Sequence, residues 1–167
     1  MFPLKHLSKD AVAAALEKAE RYRVLNEPTE AESICLDVLD VDPTHQQAII
    51  TLLLALTDQF QKSRSETYAR ALALLDRLKG AFEKQYYRGI IFERSAKARL
   101  SQGHPGARYS AFEEFTEAMQ RFEAAIPLQP AGHDDAVLRW NTCARFLNGH
   151  PEVHREPLGE HNEPMLE

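Results

Sequence analysis

The stretch Glu30-Ala31-Glu32-Ser33-Ile34-Cys35-Leu36-Asp37-Val38-Leu39-Asp40-Val41-Asp42-Pro43 decides how this chain is read. Tyr22, Ala31, Cys35 and Pro43 are nine, four and eight residues apart. Far downstream, Glu117-Ala118-Met119-Gln120-Arg121-Phe122-Glu123-Ala124-Ala125-Ile126-Pro127-Leu128-Gln129-Pro130 repeats the ending, with Ala118, Phe122 and Pro130 again four and eight apart. A proline cannot continue a helix, because it lacks the N–H and its ring clashes with the preceding turn. Both stretches therefore read as amphipathic helices that stop before Pro43 and Pro130.

Two copies of one ending suggest internal repetition. The tetratricopeptide pattern runs W-x2-L-G-x2-Y, then A-x3-F, then P over about 34 residues. Ala19 takes its Gly position and Cys35 its Phe position. The chain thus resembles the tetratricopeptide-repeat superfamily over roughly residues 8 to 148. Residues 12–43 and 110–130 carry that likeness. It implies an all-α fold, a right-handed superhelix of three irregular helix pairs plus a C-terminal capping helix. It also implies a general job, which is to hold a partner in a concave groove lined by the first helix of each pair. The chain departs from the pattern as well. No repeat has the Trp, and the second pair lacks both Tyr and Pro. Pro43 and Pro130 are 87 residues apart, where two repeats need about 68. The excess is assigned to a longer turn over 59–65 and to longer fifth and sixth helices around Gly103.

Composition bounds the rest. The 167 residues suffice for one domain with a real core. A hydrophobic fraction of 44% and a charged fraction of 27% are ordinary for a globular chain. No apolar run reaches the roughly 20 residues that span a bilayer, and residues 1–10 lack the apolar stretch of a signal peptide. The expected location is the cytoplasm, with Cys35 and Cys143 as buried thiols.

Periodicity and caps place seven helices. The first runs from about Ser8 to Leu25. The second opens at Thr29, which with Glu32 reads as a capping box. Thr44 with Gln47 opens the third, which carries Ile49, Ile50, Leu52, Leu53, Leu54 and Leu56. The fourth covers about Glu66 to Lys79 and the fifth about Ala81 to Ser101. Ser110 with Glu113 opens the sixth, whose stripe is Phe112, Phe115, Met119, Phe122 and Ile126. The seventh, about Asp134 to Leu147, turns Trp140, Cys143, Ala144 and Leu147 inward, so Trp140 is expected to be largely buried. The domain is read as 8–148. Residues 149–167 hold Pro151, Pro157, Pro164, five Glu and one Arg, and read as an acidic flexible tail.

The chain has no phosphate loop, no G-x-S-x-G turn and no H-E-x-x-H. Catalytic residues, cofactors and metals are not expected. His150, His154 and His161 read as solvated, and Asp134 and Asp135 as acids favoured at a helix start.

Charge says more. The net charge is −5, of which the tail supplies −4. Lys84, Arg88, Arg94, Lys97, Arg99 and Arg108 face the single acid Glu93 between residues 84 and 108. Arg94 and Lys97 share a side of the fifth helix with Tyr86 and Tyr87. A basic groove bearing tyrosines suits an acidic peptide, because Arg grips carboxylates with two parallel hydrogen bonds. The alternative is that these bases pair with Glu113, Glu114, Glu117 and Glu123 on the next helix. Glu93, if buried, needs a partner, and Lys97 and Arg139 are the candidates.

The expected function is a non-enzymatic module that binds a peptide or helix of a partner protein through Arg23, Thr57, Asp58, Tyr86, Tyr87, Arg94 and Lys97. The alternative is a structural or secretion-chaperone-like protein that homodimerises through its third or seventh helix. The overall negative charge disfavours nucleic acid. In relatives that clamp chaperone C-termini, the first two clamp positions are Lys and Asn; they fall here on Leu16 and Glu20, so that ligand is not expected. The acidic tail is expected to compete for the groove near Arg94 and Lys97.

Overall fold

The computed structural model describes residues 1–157. Among them are seven α-helices and no strand. The helices are α1 (Val12–Val24), α2 (Pro28–Val41), α3 (Gln46–Asp58), α4 (Phe60–Leu74), α5 (Ala81–Gln102), α6 (Ala107–Ala125) and α7 (Asp135–Gly149). Short 3₁₀ turns at Lys9–Ala11, Leu75–Arg77 and Ile126–Leu128 lead into α1 and close α4 and α6.

Each helix packs on the next in sequence, and α1 also meets α3, as α3 meets α5. The helical positions of the sequence echo are interior, whereas its prolines, Pro43 and Pro130, are exposed. Ala19, Ala31, Cys35, Ala118 and Phe122 have no exposed surface. Small residues at helix crossings let the backbones approach, and the larger ring fills the gap.

The interior has two parts. α1 to α4, with Ile91 and Ala98 of α5, enclose one, built on residues such as Val38, Ile49, Leu53, Leu56 and Phe60. α5 to α7 enclose the other, around Phe115, Phe122 and Cys143. Leu54 of α3 and Tyr87 of α5 pack against both parts and join them.

The chain reverses where the backbone can turn left-handed. Asn26 follows α1 at φ 60; Asn tolerates that region better than other non-glycine residues. Gly103 closes α5 at φ 66, its N–H donating to the Arg99 carbonyl at 3.2 Å.

The three capping boxes expected from sequence do not form. α2 starts with Pro28, whose missing N–H costs nothing in a first turn. Thr29 is therefore already helical. At α3 the cap is His45, whose Nδ1 accepts from the Ala48 N–H at 3.3 Å. Thr44 turns back instead, and both its N–H and its hydroxyl donate to Asp42 at 3.1 Å. α6 starts at Ala107 behind Gly106, which places Ser110 inside the helix.

The turn expected over 59–65 is also helical. α4 begins at Phe60 and kinks at Ser63 (φ −144, ψ 43). Phe60 is 1% exposed, and its burial pulls this segment into the fold. The rest of the repeat excess lies in α5 and α6, which have 22 and 19 residues against 13 and 14 in α1 and α2.

Two expectations at the C-terminal end need correction. Trp140 is half-buried, and α7 instead buries Ala136 and Cys143 completely. Residues 150–157, assigned to a flexible tail, return to the body. Val153 is 5% exposed and packs in the second core. The His150 ring stacks on Phe146 and the His154 ring meets Tyr109 edge-on. Residues 158–167, with His161 and most of the acidic tail, lie outside the described residues.

Candidate functional site

Three helices bring charged side chains to one cleft of about 360 Å³. α3 supplies Thr57 and Asp58 from its last turn. α5 supplies Glu93, Arg94 and Lys97, and α7 supplies Arg139. Phe60 and Gln61, at the start of α4, form the remaining wall.

The polar groups are ordered by pairing. Arg94 Nη1 donates to Asp58 Oδ1, to Thr57 Oγ1 at 2.6 Å and to the Leu54 carbonyl at 3.3 Å. Arg23 Nε of α1 donates to the other Asp58 oxygen at 2.7 Å. Asp58 thus ties α1, α3 and α5 together. Burial presses the Arg94 pKa down, against the pull of Asp58, and Arg23 and Arg139 press it the same way.

Glu93 is fully buried. Lys97 Nζ donates to its Oε1 at 2.5 Å and Arg139 Nη1 to the same oxygen at 3.5 Å. Both partners expected from sequence therefore meet it. Burial works against the charge on Arg139, yet Glu93 and the Tyr86 hydroxyl carry its pKa above the ordinary value. Lys97 is 41% exposed and Arg139 36%, so both cations also reach solvent.

Lining the cleft, three cations (Arg94, Lys97, Arg139) face two carboxylates (Asp58, Glu93), and Arg23 adds a further positive charge behind Asp58. The formal charge of the lining is +1 in a chain whose net charge is −5. This is chemistry for holding an anion. A larger hollow of about 640 Å³ lies between α6 and the returning segment at Arg155–Pro157. Glu113, Glu117 and Glu156 line it with only Arg155 opposite, so its charge has the other sign.

Of the seven residues singled out in the sequence, Thr57, Asp58, Arg94 and Lys97 line the cleft and Arg23 reaches it through Asp58. Tyr86 and Tyr87 do not line it. The Tyr86 ring stacks on Phe82 with centroids 5.2 Å apart, meets Tyr87 edge-on and leans on Phe122 at 5.8 Å. Burial, then the neighbouring Tyr86, pushes the Tyr87 hydroxyl up to about 12. The tyrosines support the wall from behind.

Arg139 was read in the sequence as a partner for Glu93 but not as a site residue. Nothing local in α7 marks it out, because its role depends on the fold bringing it to Glu93 of α5.

The pairing alternative holds for part of the basic run. Glu114 of α6 accepts from Arg99 Nε and Arg64 Nη2, each at 2.9 Å, while Arg64 also donates to Ser95 at 2.7 Å. Arg99 is therefore committed to α6, away from the cleft. The third helix, expected as a possible dimer surface, spends most of its apolar side chains inside the core, with Ile49, Leu52, Leu53 and Leu56 at most 3% exposed.

Among the described residues, no group of three His, Cys, Asp or Glu could hold a metal ion, and no helix is long and apolar enough to cross a membrane. No protein-family model matches the chain, and no curated protein matches it.

Proposed function

We propose that this chain is a non-enzymatic protein-binding module of the tetratricopeptide type, a cytoplasmic adaptor that holds an acidic peptide or helix segment in the groove of its odd-numbered helices. In this reading the helix pairs wind as a right-handed superhelix and α7 caps the last pair. One observation carries the proposal. Lys97 and Arg139 reach solvent at a cleft whose lining has a formal charge of +1, over the buried carboxylate of Glu93. Arg94 stands deeper, already committed to Asp58, and sets the shape of the wall rather than the grip. A partner carboxylate would gain charge-assisted hydrogen bonds from both exposed cations.

The test is a peptide array of acidic, neutral and basic sequences probed with the labelled full chain. Retention of acidic peptides should weaken with salt and disappear in Lys97→Glu/Arg139→Glu. Retention that ignores peptide charge, or survives the double substitution, would overturn the reading.

A further inference from the structure

The charged cleft contains a carboxylate that stability alone does not explain. Glu93 is fully buried and lines the cleft. Lys97 Nζ at 2.5 Å and Arg139 Nη1 at 3.5 Å both donate to its Oε1. Among the described residues nothing donates to its Oε2. A buried carboxylate oxygen without a donor costs stability, and an apolar side chain at this position would avoid that cost.

The charge of Glu93 is felt inside the cleft. Only one of its oxygens is offset, and a charge held away from water is weakly screened. Every cation of the lining is already shared with a carboxylate, Arg94 with Asp58, and Lys97 and Arg139 with Glu93. The formal charge of the lining is +1. The side chain of a partner's Asp or Glu brings that to zero. A phosphorylated side chain carries about −1.5 to −2 at pH 7, so it leaves the site negative beside a buried carboxylate. Lys97 and Arg139 do not discriminate by themselves, since ammonium and guanidinium groups bind carboxylate and phosphate alike. The discrimination comes from the anion behind them, because a site rejects a ligand by the repulsion built into it.

We infer that Glu93 is the specificity-determining residue of this cleft, which admits the carboxylate of a partner's Asp or Glu and turns away a phosphate monoester. The inference rests on the acidic-peptide reading above and narrows it. The partner docks through an acid encoded in its own sequence, and a phosphoserine at the docking position does not replace that acid.

The test takes the acidic peptide that the full chain retains most strongly and replaces each of its acids in turn by Gln. The position where Gln weakens binding most is then made Glu or phosphoserine, and both labelled peptides are titrated with the full chain by fluorescence anisotropy at neutral pH. We expect the Glu peptide to bind roughly tenfold more tightly than the phosphoserine peptide. In Glu93→Gln the lining loses one negative charge. Both peptides should then gain affinity, the phosphoserine peptide by roughly tenfold more, so that the gap closes. A merely structural role for Glu93 would instead weaken both peptides alike and leave their ratio unchanged. That unchanged ratio would overturn the inference, as would a phosphoserine peptide bound by the wild-type chain as tightly as its Glu counterpart. Should Glu93→Gln fail to fold, the wild-type ratio decides alone. Peptides bound alike with Glu or Gln at every position would overturn the acidic-peptide reading itself, and this inference with it.

Discussion

The ring of Phe122 on α6 lies against the backbone of Gly89 on α5. A Cβ built at Gly89 would stand 2.6 Å from the Phe122 ring. This approach brings the two longest helices together. In an exposed helix, replacing Gly by Ala gains about 1 kcal/mol. Here the methyl has no room. Gly89→Ala should destabilise the protein by about 1–3 kcal/mol, the usual cost of overpacking. Urea unfolding midpoints would measure it. A double-mutant cycle with Phe122→Leu should show coupling, because the smaller side chain relieves the contact.

Asp58 holds two arginines from two helices. Removing it leaves Arg94 in a half-buried place with only Thr57 and a carbonyl. Asp58→Ala should cost about 1–3 kcal/mol. Arg23→Ala should cost less, about 0.5–1.5 kcal/mol, because it leaves Asp58 paired with Arg94. Denaturant titrations of the two variants side by side would check the order. Equal losses would show that Asp58 acts mainly through Arg23.

Phe115 is fully buried and its ring stacks on Phe146, whereas Trp140 is half-buried. Phe115→Ala should therefore cost about 3–5 kcal/mol, and Trp140→Ala distinctly less despite its larger side chain. Melting temperatures of both variants would settle the ranking.

Cys35 and Cys143 have thiols pushed by burial from 9.0 up to about 12. The folded state keeps them protonated where the unfolded chain ionises. Their contribution is fully present below about pH 9 and declines from there toward about pH 12. Unfolding midpoints measured from neutral to alkaline pH should fall, and the fall should be shallower in Cys35→Ala/Cys143→Ala. Thiol reagents should label both residues quickly only in denaturant. Fast labelling of the native protein would contradict their burial.

The sequence by itself determined the helices and their order. Spacings of three and four mark apolar stripes, and prolines and glycines mark the ends, because these are properties of short stretches of chain. The Ala31–Cys35 and Ala118–Phe122 echo also picked out interior positions correctly, since a recurring small or apolar residue at one helical phase marks a packed face. Arg23, Thr57, Asp58, Arg94 and Lys97 were legible as charged or polar residues on the faces of odd-numbered helices. The caps were less legible. Several nearby groups can satisfy the same N–H, and at α3 His45 is used in place of Thr44.

Only the tertiary structure decided which charges meet. The six bases between residues 84 and 108 find different partners: Arg99 turns to Glu114 of α6 and Arg94 to Asp58 of α3, while Lys97 takes the neighbouring Glu93 within α5, the one pair of the three that local spacing already marked. The entry of Arg139 into the cleft, the packing of Tyr86 against Phe82 and Phe122 and the return of Val153 to the core depend on how separate segments pack together. That packing follows from which side chains fit against which, as at Gly89 and Phe122. Such a fit is a property of two surfaces together, and neither helix carries it alone.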